Sequence, residues 1–396
     1  MRRRGKIAWG ITGGVTALLL VGAGALAYAN RPLSRAQVDQ AVEERLRDAV
    51  AGDPSLSSAL LTVYSGPQDR LLQYAVGTER AGSDTPARTD SPYHSASVGK
   101  TMLATVYGQL VDEGALTFDD PVATWLDAET LAGLFVVDGT DHAAEVTVGQ
   151  LLAHTSGVAD YFEGPVTSGV PVLEQVTADP DHLFTPQELV AFSRDLQEPV
   201  GRPGETFAYS DTGYLLLGLA LERIEGAPYA QVLDDRLFAP LDMADSRLLT
   251  EFGEGTDILS LTVDGVDISR RNALSVDWAG GGVVTTMDDL LLFLRALTGG
   301  DLVSDETLAT LTTFEHDVDQ GIGYGMGMMQ FRFSELSPLL FAMSDVHGAV
   351  GATGTYALYD PSGDTYYIAN FGSLDHRQKA IEELVQVRLL VDRLRD

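Results

Sequence analysis

Two strand-like hairpins lie at opposite ends of this 396-residue chain, and a single sheet can form only if the two ends meet. Near the front, Ala59–Ser65 and Leu71–Val76 flank a turn at Gly66-Pro67. Near the back, Thr355–Tyr359 and Thr365–Ala369 flank the turn Asp360-Pro361-Ser362-Gly363. Most long segments between them carry helical spacing: 97–113, 144–153, 186–196, 212–225, 229–238, 287–298 and 304–312. Amphipathic helices are also expected outside the hairpins. Arg35–Val50 carries Val38, Ala41, Val42, Leu46 and Val50, and Gln378–Leu394 carries Ile381, Leu384, Val385 and Leu389. The expected fold class is therefore α+β, an α/β sandwich. Its antiparallel sheet comes from the N- and C-terminal segments, flanked by helices, with a mainly helical subdomain inserted at roughly 101–255 of a 35–396 domain.

The first thirty-odd residues stand apart. Arg2, Arg3, Arg4 and Lys6 precede an uncharged stretch from Ile7 to Ala29, long enough for a helix that needs about 20 residues to cross a bilayer. Residues 1–34 are thus expected to be a basic tip followed by a membrane anchor. The small-x-small run Ala27-Tyr28-Ala29 leaves a cleaved signal peptide open as the alternative. Either way, the chain beyond Ala29 is placed outside the cytoplasm, at the cell membrane or secreted. The formal charge of −31 is uneven: beyond residue 29 the chain has 22 basic residues against 57 acids, a net of −35. Such a surface repels phosphate backbones, so no nucleic acid partner is expected. Cysteine is absent, which removes disulfides, thiolate metal sites and cysteine nucleophiles.

Only three lysines occur, Lys6, Lys100 and Lys379; elsewhere the basic residue is arginine. Lys100 sits in Ser95-Ala-Ser-Val-Gly-Lys-Thr-Met-Leu-Ala104, a stretch without an acid to pair with it. Arginine keeps its proton at working pH, whereas a desolvated lysine can release it, so Lys100 is a candidate base. Ser97, three residues earlier, falls on the same helix face, at a helix start where developing negative charge is favoured. In Pro203–Gly218, Tyr209 precedes an apolar helix and is placed to relay a proton, with Ser210 or Asp211 as the cap. No Gly-x-Ser-x-Gly elbow and no His-Glu-x-x-His pattern occurs, so neither the α/β-hydrolase route nor a metal site is indicated. His154 is expected to be structural. No cofactor is implied.

Four segments resemble the serine hydrolases grouped with class C β-lactamases and D-alanyl-D-alanine carboxypeptidases, the Ser-x-x-Lys family. They are Ser97-Val-Gly-Lys100; Thr147–Gly157; Pro203–Asp211, which contains Tyr209-Ser-Asp211; and Gly280–Leu290. They occur in the family's order, and the similarity covers roughly 35–392. The resemblance implies that Ser97 attacks a carbonyl to form an acyl-enzyme, with Lys100 and Tyr209 handling the proton. Asp211 stands where asparagine is commoner in the family, which implies altered specificity. For the family's third motif, a Lys or His followed two residues on by Gly, two registers are open. One starts at His347; the other places Ala349-Val350-Gly351 in the motif, loses the cation and leaves the Ala352 N–H to complete an oxyanion hole. The second implies weaker binding of substrates with a carboxylate there, such as penicillins and D-Ala-D-Ala peptides, and favours an esterase or amidase on neutral substrates over a β-lactamase. The expected function is a hydrolase, expected to be monomeric, that acts on an ester, amide or D-amino-acid peptide, with a small molecule or peptide as its substrate. A weakly catalytic sensor or binding domain on the same scaffold is the alternative.

Overall fold

The computed structural model describes residues 31–253 and 256–395. The apolar stretch 7–29 lies outside them, and no helix among the described residues is long and apolar enough to cross a membrane. The ends do meet. Helix α1 (Arg35–Gly52) leads into strands β1 (Ser58–Ser65) and β2 (Arg70–Gly77). After 238 intervening residues the chain re-enters the same sheet as β3 (His316–Asp319), β4 (Ile322–Tyr324), β5 (Met329–Phe331), β6 (Val346–Val350), β7 (Tyr356–Asp360) and β8 (Thr365–Asn370). The antiparallel order is β3-β4-β5-β6-β7-β8-β1-β2. β1 joins β8 in a register running from Leu60↔Asn370 to Ser65↔Thr365, so the two terminal hairpins form one continuous ladder.

Burial follows from that topology. All of β1 except Ser65 is buried, as expected of a strand covered on both faces, whereas β2 buries mainly one side through Leu72, Tyr74 and Val76. One face of the sheet packs against α1, through Val38, Val42 and Leu46, and against α5 (Arg377–Val391), through Ile381, Leu384 and Val385. The other face carries α2 (Gly99–Asp112), α3 (Asp211–Glu225) and α4 (Met287–Thr298). α2 is buried almost all round from Gly99 to Gly108, which marks it as the central helix of the domain.

The structure also revises the sequence reading locally. The expected 229–238 helix divides into Tyr229–Leu233 and a π-helical turn, Asp234–Phe238. The 144–153 helix shortens to Val148–Leu152, fixed by a Thr147/Gln150 capping box. β3, β4 and β5 were not anticipated: their strands are short, and β4 and β5 are joined by the glycine-rich run 325–328. At Gly327, φ is 73° and an added Cβ would lie 2.6 Å from the Ala104 Cβ and 2.8 Å from the Lys100 carbonyl oxygen. Thr101 Oγ1 donates to the Gly327 carbonyl at 2.6 Å, so this glycine lets the sheet touch α2 beside Lys100.

Candidate active site

Ser97 lies in a 3-10 turn, Ala96–Val98, that runs into α2. Ala96 has φ 48°, the left-handed region, which costs a non-glycine residue ~1–3 kcal/mol unless its surroundings enforce it. They do. The Ala96 N–H donates to His94 Nδ1 at 3.2 Å, and the Ser95 N–H donates to the Val283 carbonyl at 2.8 Å. Two glycines close on the turn from either side. A Cβ on Gly281 would sit 2.2 Å from the Ala96 carbonyl oxygen, and one on Gly351 would sit 2.8 Å from the Ala96 Cβ. Gly281→Ala must therefore displace the Ser97 turn. A shift of ~1 Å costs catalysis roughly 100-fold, so rates of Ser97 acylation should fall by about that factor in protein whose circular dichroism spectrum is unchanged. An unaltered rate would show that the pinch is not needed.

Lys100 is 1 % exposed on its side chain. Its Nζ donates to Ser97 Oγ at 3.1 Å, to the Gly280 carbonyl at 2.6 Å and to the Asp211 carboxylate. This corrects the expectation of an unpaired lysine: the local sequence holds no acid, but the first residue of α3 brings one from 111 positions away. Burial alone would lower the proton affinity of Lys100, but Asp211 and Asp277 outweigh it and hold the pKa above the ordinary lysine value. With all three donor positions used, the resting group is an ammonium.

Tyr209 donates its hydroxyl to Ser97 Oγ at 2.9 Å. Burial, then the Asp211 charge, push its pKa well above the usual phenol range, against the opposing effect of the Ser97 hydrogen bond. Its ring lies on His154, with centroids 4.1 Å apart. His154 accepts the Ser210 N–H at Nδ1 (3.1 Å) and is hydrogen-bonded to the Tyr324 hydroxyl through Nε2 (2.9 Å). Burial and then Lys100 keep it neutral. His154 thus orients Tyr209 and the start of α3. Among the described residues no group of three His, Cys, Asp or Glu side chains is placed to hold a metal.

Ser97, Tyr209, Asp211 and Ala352 line one cleft. Gly351 brings the end of β6 to within 3.3 Å, measured from the absent Cβ, of the Ser97 amide nitrogen. His347 is not among the cleft-lining residues; its ring packs near Phe314 and Tyr359, at centroid distances of 5.9 and 5.6 Å. The larger groove, between α1, α5 and residues 339–343, is lined by no serine, lysine, histidine or tyrosine.

Four further side chains stand at the cleft or against it that sequence reasoning passed over. Glu163 and Arg377 line it and pair at 2.8 Å. Asp160 accepts the Asp211 N–H at 3.0 Å, and Asp277 lines the cleft beside Asp211. Burial and the Asp211 charge push Asp160 up to about 7. Asp277 is also pushed up to about 7, by burial first; Lys100 opposes the rise and Asp211 adds to it. The available signal for Asp277 was its position three residues before Gly280-Gly-Gly.

A model of the family described as Beta-lactamase matches residues 38–383. The chain belongs to the beta-lactamase family. As a member of that family it is a serine hydrolase, and several known proteins resemble it. It is 32% identical over 207 residues to penicillin-binding protein 4 of Amycolatopsis lactamdurans, covering 52% of this chain and 48% of that protein. The match therefore spans about half the length of that relative. It is 24% identical over 276 residues to the D-alanyl-D-alanine-carboxypeptidase/endopeptidase AmpH of Escherichia coli K12, covering 69% and 66% of the two chains. Among solved structures, a D-stereospecific amidohydrolase from Streptomyces sp. superposes with a TM-score of 0.71 at 27% identity, covering 86% and 97% of the two chains. The D-amino acid amidase of Ochrobactrum anthropi SV3, at 24% identity and a TM-score of 0.73, shares the fold, with 90% and 98% covered.

Proposed function

We propose that this beta-lactamase-family enzyme forms an acyl-enzyme on Ser97 and hydrolyses an amide or peptide of a D-amino acid, outside the cytoplasm. The observation that carries the proposal is the convergence of Lys100 Nζ and Tyr209 OH on one oxygen, Ser97 Oγ. Ser97 Oγ bonds to the substrate carbonyl carbon while the carbonyl π pair moves to oxygen, facing the Ser97 and Ala352 N–H groups. The serine proton passes to the Lys100–Tyr209 pair and from it to the departing amine as the C–N bond breaks. Water then attacks the ester, and Ser97 recovers a proton. In the resting arrangement both partners donate to Ser97 Oγ, so one of them must lose a proton before either can accept the serine's.

The strand beside the nucleophile presents Ala349-Val350-Gly351 and no cation, which favours substrates uncharged at that position. The amidohydrolase likeness supports amides. Placement outside the cytoplasm rests on the basic tip and apolar stretch of residues 2–29. The test is adduct mapping by mass spectrometry after treating the full chain in detergent with a fluorophosphonate. Label on Ser97 in the parent, and none in Ser97→Ala, is expected; no label on Ser97 in folded parent protein overturns the acyl-enzyme at this residue.

A further inference from the structure

The acidic residues around Lys100 outnumber the charge it can balance. The Cβ position that Gly280 leaves empty lies 2.7 Å from Asp211 Oδ1, 2.8 Å from Asp277 Oδ1 and 3.4 Å from Lys100 Nζ. Two carboxyls and an ammonium therefore surround one point, and a third carboxyl, Asp160, holds the backbone of Asp211. Asp211 is the direct partner of Lys100. Asp277 is the extra group, and the backbone around it is fixed. The preceding Val276 carbonyl accepts the Tyr161 hydroxyl at 2.7 Å, and the following Trp278 packs edge-on against Tyr229 at 5.4 Å. Three residues on, the Gly280 carbonyl accepts from Lys100. The 277–280 turn thus wraps the ammonium with a carbonyl on one arm and a carboxyl on the other. Asp277 also keeps a face to the cleft, where water can exchange its proton.

We infer that Asp277 is a positioning residue that acts through Lys100 and sets when Ser97 can lose its proton. The inference rests on the proposed acyl-enzyme chemistry and adds a residue to it. When Asp277 is ionised, Lys100 faces two carboxylates and keeps its proton; when Asp277 is neutral or absent, Lys100 releases it more readily. The other titratable groups facing this point are fixed in charge near neutrality. Tyr209, Tyr214, Tyr161, Tyr229 and Tyr324 are held as phenols by burial, and His154 is held neutral. Asp160 also titrates in this range, but it meets the backbone of Asp211 and not the ammonium.

The sign is then definite. Above neutrality Asp277 is ionised in the parent, and Asp277→Asn removes that charge. The rising limb of Ser97 acylation against pH, read as the rate of fluorophosphonate inactivation, should move to lower pH by about one unit. A purely structural role would lower the rate at every pH without moving the limb, and an unmoved limb in folded Asp277→Asn overturns the inference. A second readout needs neither activity nor the variant. With three lysines in the chain, selective 13C/15N-lysine labelling of the full protein lets the Lys100 resonances be followed by NMR. They are expected to show an inflection near pH 7 that persists in Asp160→Asn. Absence of that inflection, or its loss in Asp160→Asn, overturns the role of Asp277. Failure of the parent to react with the fluorophosphonate would remove the proposed function and leave the lysine titration standing as its own test.

Discussion

Lys100→Ala is expected to slow acylation of Ser97 by about three orders of magnitude, the range lost when a positioned acid–base group is removed. The variant takes away one of the two groups that meet Ser97 Oγ and leaves Tyr209 as a phenol whose proton is held tightly by burial and by Asp211. It also leaves the Asp211 carboxylate, 8 % exposed, without its cation. Breaking such a pair from one side costs roughly 3 kcal/mol. Lys100→Arg separates the two effects, because arginine restores a charge and cannot act as a base. Thermal melts, together with rates of fluorophosphonate labelling, decide the matter. A rate within tenfold of the parent in Lys100→Ala would remove lysine from the chemistry.

Arg388→Met is expected to destabilise the domain by ~3–5 kcal/mol while leaving the chemistry of each folded molecule unchanged. Arg388 is 1 % exposed, on the inner side of α5. Its guanidinium donates to Asp360 Oδ2 at 2.7 Å, to the Ser344 hydroxyl at 2.7 Å and to the Ser344 carbonyl at 2.8 Å, and it lies 4.9 Å from the Phe333 ring centroid. Methionine fills much of the volume but leaves the Asp360 carboxylate facing an apolar interior. The same carboxyl also accepts the Ser362 and Gly363 amides in the β7–β8 turn, so the strain passes into the sheet. With an unfolding entropy of about 2.1 cal/mol/K per residue, a domain of this size shifts by about 1.3 °C per kcal/mol, so the melting temperature should fall on the order of 5 °C. A fall of less than 3 °C would show that the charge cluster contributes little beyond its volume.

The two active-site elements differ in how visible they were. Ser97 and Lys100 lie one helical turn apart, so their contact follows from the 3.6-residue period. The scarcity of lysine marked Lys100, and the turn-to-helix passage at 203–218 marked Tyr209. The short strands β3–β5 escaped notice because three or four residues with interspersed glycines carry too little period-2 pattern. His347 and Gly351 lie on or just past the same strand, yet only Gly351 reaches the Ser97 turn. Alternation along a strand cannot show which end of it meets α2.

By itself, then, the sequence determined the α+β class, the sheet closed by the two ends of the chain, and Ser97, Lys100 and Tyr209 as the candidates that the fold brings together. These features depend on local period, turn chemistry and residue type, all carried by neighbours in the chain. Tertiary structure alone decided that Lys100 is paired with Asp211, that Asp277 crowds the same charge, and that Ala96 is held in a left-handed conformation. Each depends on distances between segments more than 50 residues apart. Charge–charge energies fall with that distance, and a one-dimensional pattern holds no record of it.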